Sequence, residues 1–284
     1  MYVTTLTAIP PRFDQLGPTL ESVLAQEIKP EAVRLYIPKH YRRFSDWDGS
    51  LPDVPRGVEI IRTEEDLGPA TKVLFAADEL RGEDVSIMFC DDDRIYLPDW
   101  STRFMQASAA HPGAAIVSSG FDVEQMGFTY HGPRAMPRAK ALSKAEDLGY
   151  QWQRLKQKLA RIGRPKRDEL KAPRSRIGKS GYVDIGEGFG GFLVRPEFFD
   201  RDAWVIPPVL WAVDDVWLSG QLARKNIPIW GEAHASRLLT TRYQKRAALH
   251  AAVIEGAGRE DANYKCAEYM RDTYGVWGKE KTAA

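Results

Sequence analysis

The sequence predicts an α/β protein with a mainly parallel central sheet flanked by helices, built as one domain with a basic helical and loop insertion. Three observations carry that expectation. Short β-branched runs alternate with helix-spaced segments over the first hundred residues. The strand candidates are close to continuously apolar, which suits strands covered on both faces. A chain of 284 residues, 43% of them apolar, is long enough to close one large core.

The first strand is expected over Val3–Ile9, where Pro10-Pro11 ends it. A helix over Thr19–Gln26 follows, with Leu20, Val23 and Leu24 at helical spacing and Pro18 just ahead. Ala32–Ile37 reads as the second strand, closed by Pro38, and Val58–Ile61 as the third, after turn residues Pro55 and Gly57. Pro69–Leu80 has helical spacing through Val73, Leu74, Ala77 and Leu80. Val85–Phe89 is a buried-type strand that ends abruptly in Cys90-Asp91-Asp92-Asp93. Beyond it come a helix over Trp100–Ala110 and a strand over Ala114–Ser118. Residues 127–182 form the insertion, with one amphipathic piece at Ala145–Ile162. Val183–Leu193 follows with a glycine cluster, then Val213–Arg224 reads as a helix and Ile227–Trp230 as a short strand. A last helix is expected over Tyr243–Val253, within a C-terminal helical tail (243–284) that ends polar.

Composition excludes several classes. The 40 Lys and Arg balance 39 Asp and Glu, so the chain as a whole has no nucleic-acid-binding charge. The balance is uneven: residues 127–182 hold 15 basic and four acidic residues. No apolar run reaches the ~18 residues of a membrane span, and the first residues read as a strand instead of a signal peptide. Two cysteines without CxxC spacing argue against a disulfide framework or a structural zinc. The expectation is a reduced, cytoplasmic protein.

The strongest chemical signal is Asp91-Asp92-Asp93. Carboxylates at the carboxyl end of a parallel strand lie where open α/β sheets bind ligands. Crowded carboxylates raise one another's pKa unless a cation neutralises them, and oxygen ligands of this kind suit Mn²⁺ or Mg²⁺. A solvated acidic turn would look the same in isolation. The second acidic pair, Asp214-Asp215, stands between Trp211 and Trp217 at a helix start, where it serves either as an N-cap or as a general base. Gly68-Pro69-Ala70-Thr71-Lys72 opens a helix and offers amides and a charge to phosphate, without matching the P-loop pattern. Gly186–Gly191 does not match GxGxxG and reads as a place of close backbone approach. His234, downstream of the second acidic pair, is a candidate metal ligand, and Cys90 is rejected as a nucleophile because its acidic neighbours keep it a thiol.

Taken in order, these features resemble a GT-A-fold glycosyltransferase of the family 2-like group, over about residues 1–240. The resemblance implies a Rossmann-like sheet, a nucleotide-sugar-binding half (1–99) and an acceptor half (100–242). Asp91–Asp93 resembles the DxD motif, with Asp93 and Asp91 on the metal and His234 added from its position. Thr7, Ala8, Ile9, Arg12, Asp66, Lys72, Asp91 and Asp92 are implied on the donor side. Gly190, Gly191, Trp211 and Trp217 are implied for the acceptor, and Asp215 with Asp214 for catalysis, Asp215 as the base of an inverting transfer. Two departures stand out: Tyr36-Ile37-Pro38-Lys39 replaces the acidic residue usual after the second strand, with Asp66 as substitute, and the acidic pair is Asp-Asp instead of Glu-Asp.

The implied reaction moves a sugar from a nucleotide sugar, UDP-linked first, to a hydroxyl of a glycan or glycoconjugate, with Mn²⁺ or Mg²⁺ as cofactor. Surface-polysaccharide assembly is the implied setting, by analogy alone. For the insertion three readings stay open: a lid over the substrates, recognition of an anionic acceptor, or peripheral contact with the inner face of a membrane. Two rivals are a non-catalytic scaffold of the same fold and a sugar nucleotidyltransferase, although Thr7–Arg12 lacks the glycines that the latter needs.

Overall fold

The computed structural model describes residues 1–130, 132–160, 162, 172–235, 238–240 and 259–278. The strands are β1 Tyr2–Thr7, β2 Val33–Pro38, β3 Val58–Thr63, β4 Ser86–Phe89, β5 Arg94–Ile95, β6 Ala115–Val117 and β7 Gly120–Phe121. They continue as β8 Lys140–Ala141, β9 Ile177–Lys179, β10 Gly181–Val183, β11 Ile185–Gly186, β12 Phe192–Val194, β13 Ile229–Gly231 and β14 Leu239–Thr240. The α-helices are α1 Gly17–Leu24, α2 Thr71–Glu79, α3 Trp100–Ala110, α4 Leu148–Ala160, α5 Asp214–Arg224 and α6 Arg259–Tyr274.

Eight strands form the central sheet in the order β10-β13-β6-β12-β4-β1-β2-β3. The run β4-β1-β2-β3 is parallel, as is the pair β6-β13. Antiparallel β12 joins these blocks by pairing with both β4 and β6, and β10 adds an antiparallel edge. The predicted mainly parallel mixed sheet in a single domain is therefore the one observed.

Side chains along the central strands alternate between two cores, as the two-residue period requires. Ile87 and Phe89 of β4, Val117 of β6 and Phe192 of β12 face the layer of α2, α5 and α6. Met88, Ile116 and Leu193 face the layer of α1 and α3, with Leu20 and Phe104. Phe89 and Phe192 stack with centroids 4.9 Å apart, tying β12 to the strand that carries the acidic triplet.

The second half of the chain is less regular. Val183–Leu193 is divided at its glycine cluster: Gly191 has φ +101°, and its amide donates to the Gly188 carbonyl at 3.0 Å, so the chain turns before β12. The C-terminal tail, expected to be helical, contains α6, which docks on α5 with Cys266, Ala267 and Met270 fully buried. Small and sulfur side chains, with a charged residue at most other positions, hide that apolar face from a hydropathy reading. Ile227–Trp230 is shifted to Ile229–Gly231. The helix expected over Tyr243–Val253 lies outside the described residues.

Candidate active site

Strand ends and helix starts converge on a cavity of about 250 Å³. Thr7, Ala8 and Ile9 line it from the end of β1, and Asp91, Asp92, Asp93 and Arg94 from the end of β4. Asp66, Gly68, Pro69 and Lys72 come from the entry to α2, and Trp211, Asp214 and Asp215 from the entry to α5. The parallel strands β1 and β4 end on the same side of the sheet, which is why their last residues meet in one crevice.

The walls are fixed by hydrogen bonds. The two Asp66 carboxylate oxygens accept from the amides of Arg42 and Gly68, each at 2.8 Å, and Trp211 Nε1 donates to the Asp66 carbonyl at 2.9 Å. Gly68 has φ +61°, and a Cβ there would lie 2.7 Å from Trp211 atoms, so only glycine lets the start of α2 approach that ring. The buried Tyr96 hydroxyl accepts from the Asp91 amide at 3.1 Å and donates to the Phe189 carbonyl at 3.2 Å, joining the triplet to the loop after β11.

Three cations neutralise the acids. Arg12 Nη1 lies 2.5 Å from Asp92 Oδ1 and 3.4 Å from Asp93 Oδ2, while Arg94 Nε lies 3.3 Å from Asp93 Oδ1. Lys72, only 3% exposed, sits between the two acidic clusters, with Nζ 2.8 Å from Asp91 Oδ1 and 2.9 Å from Asp214 Oδ2. Burial alone would pull its ammonium down, but Asp214, Asp91 and Asp215 outweigh that and hold it protonated well above the ordinary lysine range. Asp215 faces the cavity, and its Oδ1 accepts from the Gly188 amide at 2.8 Å.

Residues 50–173 match the model of glycosyl transferase family 2. Over that stretch the chain is similar to this family. The match covers a little under half of the chain, taking in Asp66, Lys72 and the Asp91–Asp93 triplet, while Asp214 and Asp215 lie beyond. No curated protein matches the sequence. Among solved structures, the chain is similar to S. aureus TarS 1-349, with 10% identity and a TM-score of 0.46, covering 96% of this chain and 72% of that one. It is also similar to GalNAc-T7, solved with UDP, GalNAc and Mn²⁺, with 13% identity and a TM-score of 0.48, covering 96% of this chain and 48% of that one.

The cavity brings together Thr7, Ala8, Ile9, Arg12, Asp66, Lys72, Asp91, Asp92, Asp93, Trp211, Asp214 and Asp215. Four other candidates are elsewhere. Trp217 is fully buried and donates from Nε1 to the Ala203 carbonyl at 2.8 Å, so it is a core residue of α5 and meets no acceptor. His234 does not line the cavity, and its Nδ1 is 3.3 Å from Ser175 Oγ. The Gly190 carbonyl accepts from Trp100 Nε1 and Ser118 Oγ, and Gly191 packs on Trp100. Both glycines thus support the wall that Glu187 and Phe189 present. Sequence reasoning missed Tyr41, Arg43, Phe44, Arg94, Glu187 and Phe189 as lining residues. Of these Arg94, adjoining the triplet, and Glu187 and Phe189, inside the glycine cluster, carried a positional signal.

Among the described residues no group of three or more His, Cys, Asp or Glu side chains forms a metal cage. The donor chemistry still suits Mn²⁺ or Mg²⁺ held by one or two carboxylates together with phosphate oxygens of a bound substrate. Cys90 is inert, since burial pushes its thiol up to about 12.

Burial, reinforced by Asp93 and Asp91 against the opposing Arg12, pushes Asp92 up to about 7. The folded state therefore binds a proton that the unfolded chain releases near pH 4. This contribution to stability is present at low pH and is lost as pH rises towards and through 7. Asp92→Asn should accordingly raise the melting temperature of the metal-free protein more at pH 8 than at pH 5.5. Equal shifts at both pH values in calorimetry would contradict it.

Proposed function

We propose that this cavity transfers a sugar from a nucleotide sugar, with UDP the first nucleotide to test, to a hydroxyl of a glycan or glycoconjugate acceptor, with inversion. One observation carries the reading: two acidic clusters more than a hundred residues apart face one cavity, with Lys72 between them. The acceptor oxygen attacks the anomeric carbon, the bond to the diphosphate oxygen breaks, and the acceptor proton passes to Asp215. Asp215 suits the base better than Asp214, because Asp214 is buried and committed to Lys72 whereas Asp215 opens to the cavity. Arg12, Arg94 and Lys72 place positive charge beside the departing diphosphate, where preorganised charge counts most. Mn²⁺ or Mg²⁺, held by Asp93 and Asp91 with the diphosphate, would supply Lewis-acid neutralisation of that leaving group.

On this reading residues 1–99 are the donor half and 100–242 the acceptor half, with the buried Trp211 forming part of the cavity wall. Thermal unfolding with UDP, GDP, ADP and CMP, each with and without Mn²⁺, tests it on wild type and Asp93→Ala. Ligand at about 100 times its Kd stabilises the native state by about 2.7 kcal/mol. The expected result is a shift with one nucleotide that needs both Mn²⁺ and Asp93. No shift with any of the four would favour a scaffold of this fold.

A further inference from the structure

Helix α4 is mounted inside out. Leu148, Trp152, Leu155 and Leu159, continued by Ile162 just past its end, are 78%, 58%, 45%, 58% and 76% exposed. At ~100° per residue they fall within an arc of roughly 80°. The half-buried positions are Tyr150, Gln153 and Gln157, on the opposite side of the helix. A surface helix ordinarily turns its apolar stripe to the core, and this one turns it to solvent.

The flanks of the stripe are cationic. Lys156 and Lys158 fall about 80° to either side of its centre, Arg154 lies further round, and α4 carries no acid. Lys156 Nζ lies 5.3 Å from the centre of the Trp152 ring. The helix is also braced from below. The Asp147 carboxylate accepts from the Tyr150 amide at 2.9 Å and from the Ser175 amide at 3.0 Å. Next to Ser175, the Arg176 guanidinium lies 5.4 Å over the ring of Phe189, which lines the cavity.

We propose that α4 is a docking surface for an anionic lipid bilayer, its apolar stripe entering the headgroup boundary while Arg154, Lys156 and Lys158 meet the lipid charges. An apolar stripe with Trp, bordered by basic residues, is the pattern of helices that lie in the plane of a membrane. The same charges oppose pairing with a second copy, since two α4 helices face to face would bring six cations together with no acid between them. The proposal does not rest on the catalytic reading. No helix among the described residues is long and apolar enough to cross a membrane, so this contact lies on the surface.

The full chain should float with vesicles of phosphatidylcholine and phosphatidylglycerol, and not with phosphatidylcholine alone. Binding should weaken at high salt. Trp152→Ser with Leu159→Ser should abolish flotation without lowering the melting temperature, because both residues are exposed. Replacing Arg154, Lys156 and Lys158 together by Gln should weaken it by about a hundredfold, at ~1 kcal/mol for each charge near the surface. Failure of the wild type to bind anionic vesicles would overturn the proposal, as would equal flotation of the serine variant. A wild-type dimer that the serine variant dissolves into monomers would assign the stripe to a second copy instead.

Discussion

Asp215→Asn should lower turnover by roughly 10²–10⁴-fold, the usual worth of a general base, while leaving nucleotide binding and the melting temperature close to wild type. The substitution keeps the volume of the side chain, and the amide oxygen still accepts from Gly188 N, which holds Oδ1 at 2.8 Å. What disappears is the ability to take the acceptor's proton. Asp214→Asn should behave differently. It removes a charge from a buried pair with Lys72 and should act on stability as well as on rate. A single-turnover assay with saturating donor separates the two. Full activity in Asp215→Asn would transfer the base role to another group, and an equal loss of nucleotide binding would make Asp215 a donor ligand.

Lys72→Met should be the most destabilising single change in the site, by about 3–5 kcal/mol, because it leaves two carboxylates facing each other without their shared cation. That corresponds to a fall in melting temperature on the order of 10 °C. Loss of packing alone would give a deficit independent of pH. Here the deficit should shrink in acid, where the orphaned carboxylates take up protons and shed their repulsion. Adding Asp214→Asn to Lys72→Met should recover part of the loss, since the second change removes the stranded charge, and the double-mutant cycle reads that coupling directly. A pH-independent deficit with no recovery would reduce Lys72 to a space-filling residue.

Most of the cavity was legible because two local rules placed it. An apolar strand ending in charge marks the carboxyl edge of a parallel sheet, and glycine before a helix marks a close approach, so Asp91–Asp93 and Gly68–Lys72 could be set side by side. What sequence adjacency does not encode is direction. Trp211 and Trp217 flank the acidic pair on either side in sequence. Trp211 precedes α5 and turns to the cavity, whereas Trp217 lies a turn inside α5 and points into the core beneath α6. Gly190 and Gly191 failed for a related reason: their backbone serves Trp100, which sits behind the wall. Helix α4 was legible as amphipathic, but the usual rule would have turned it over. Its start is tied to the rest of the fold through Asp147 and the Ser175 amide, a contact no periodicity reveals.

Strand β12 has a further consequence, in time. Its partner β4 acquires one neighbour from far upstream, with Ser86 against Tyr2, and the other from far downstream, with Phe192 against Phe89. The strand that delivers the acidic triplet is thus half-paired until about a hundred more residues have been made. At ~5–20 residues per second that interval is roughly 5–20 s on the ribosome. Throughout it the apolar segment Ile87–Phe89 presents an open hydrogen-bonding edge, the kind that recruits other chains. The carboxylates that follow it then act as gatekeepers: three like charges immediately after the bare edge discourage stacking of one nascent chain on the next.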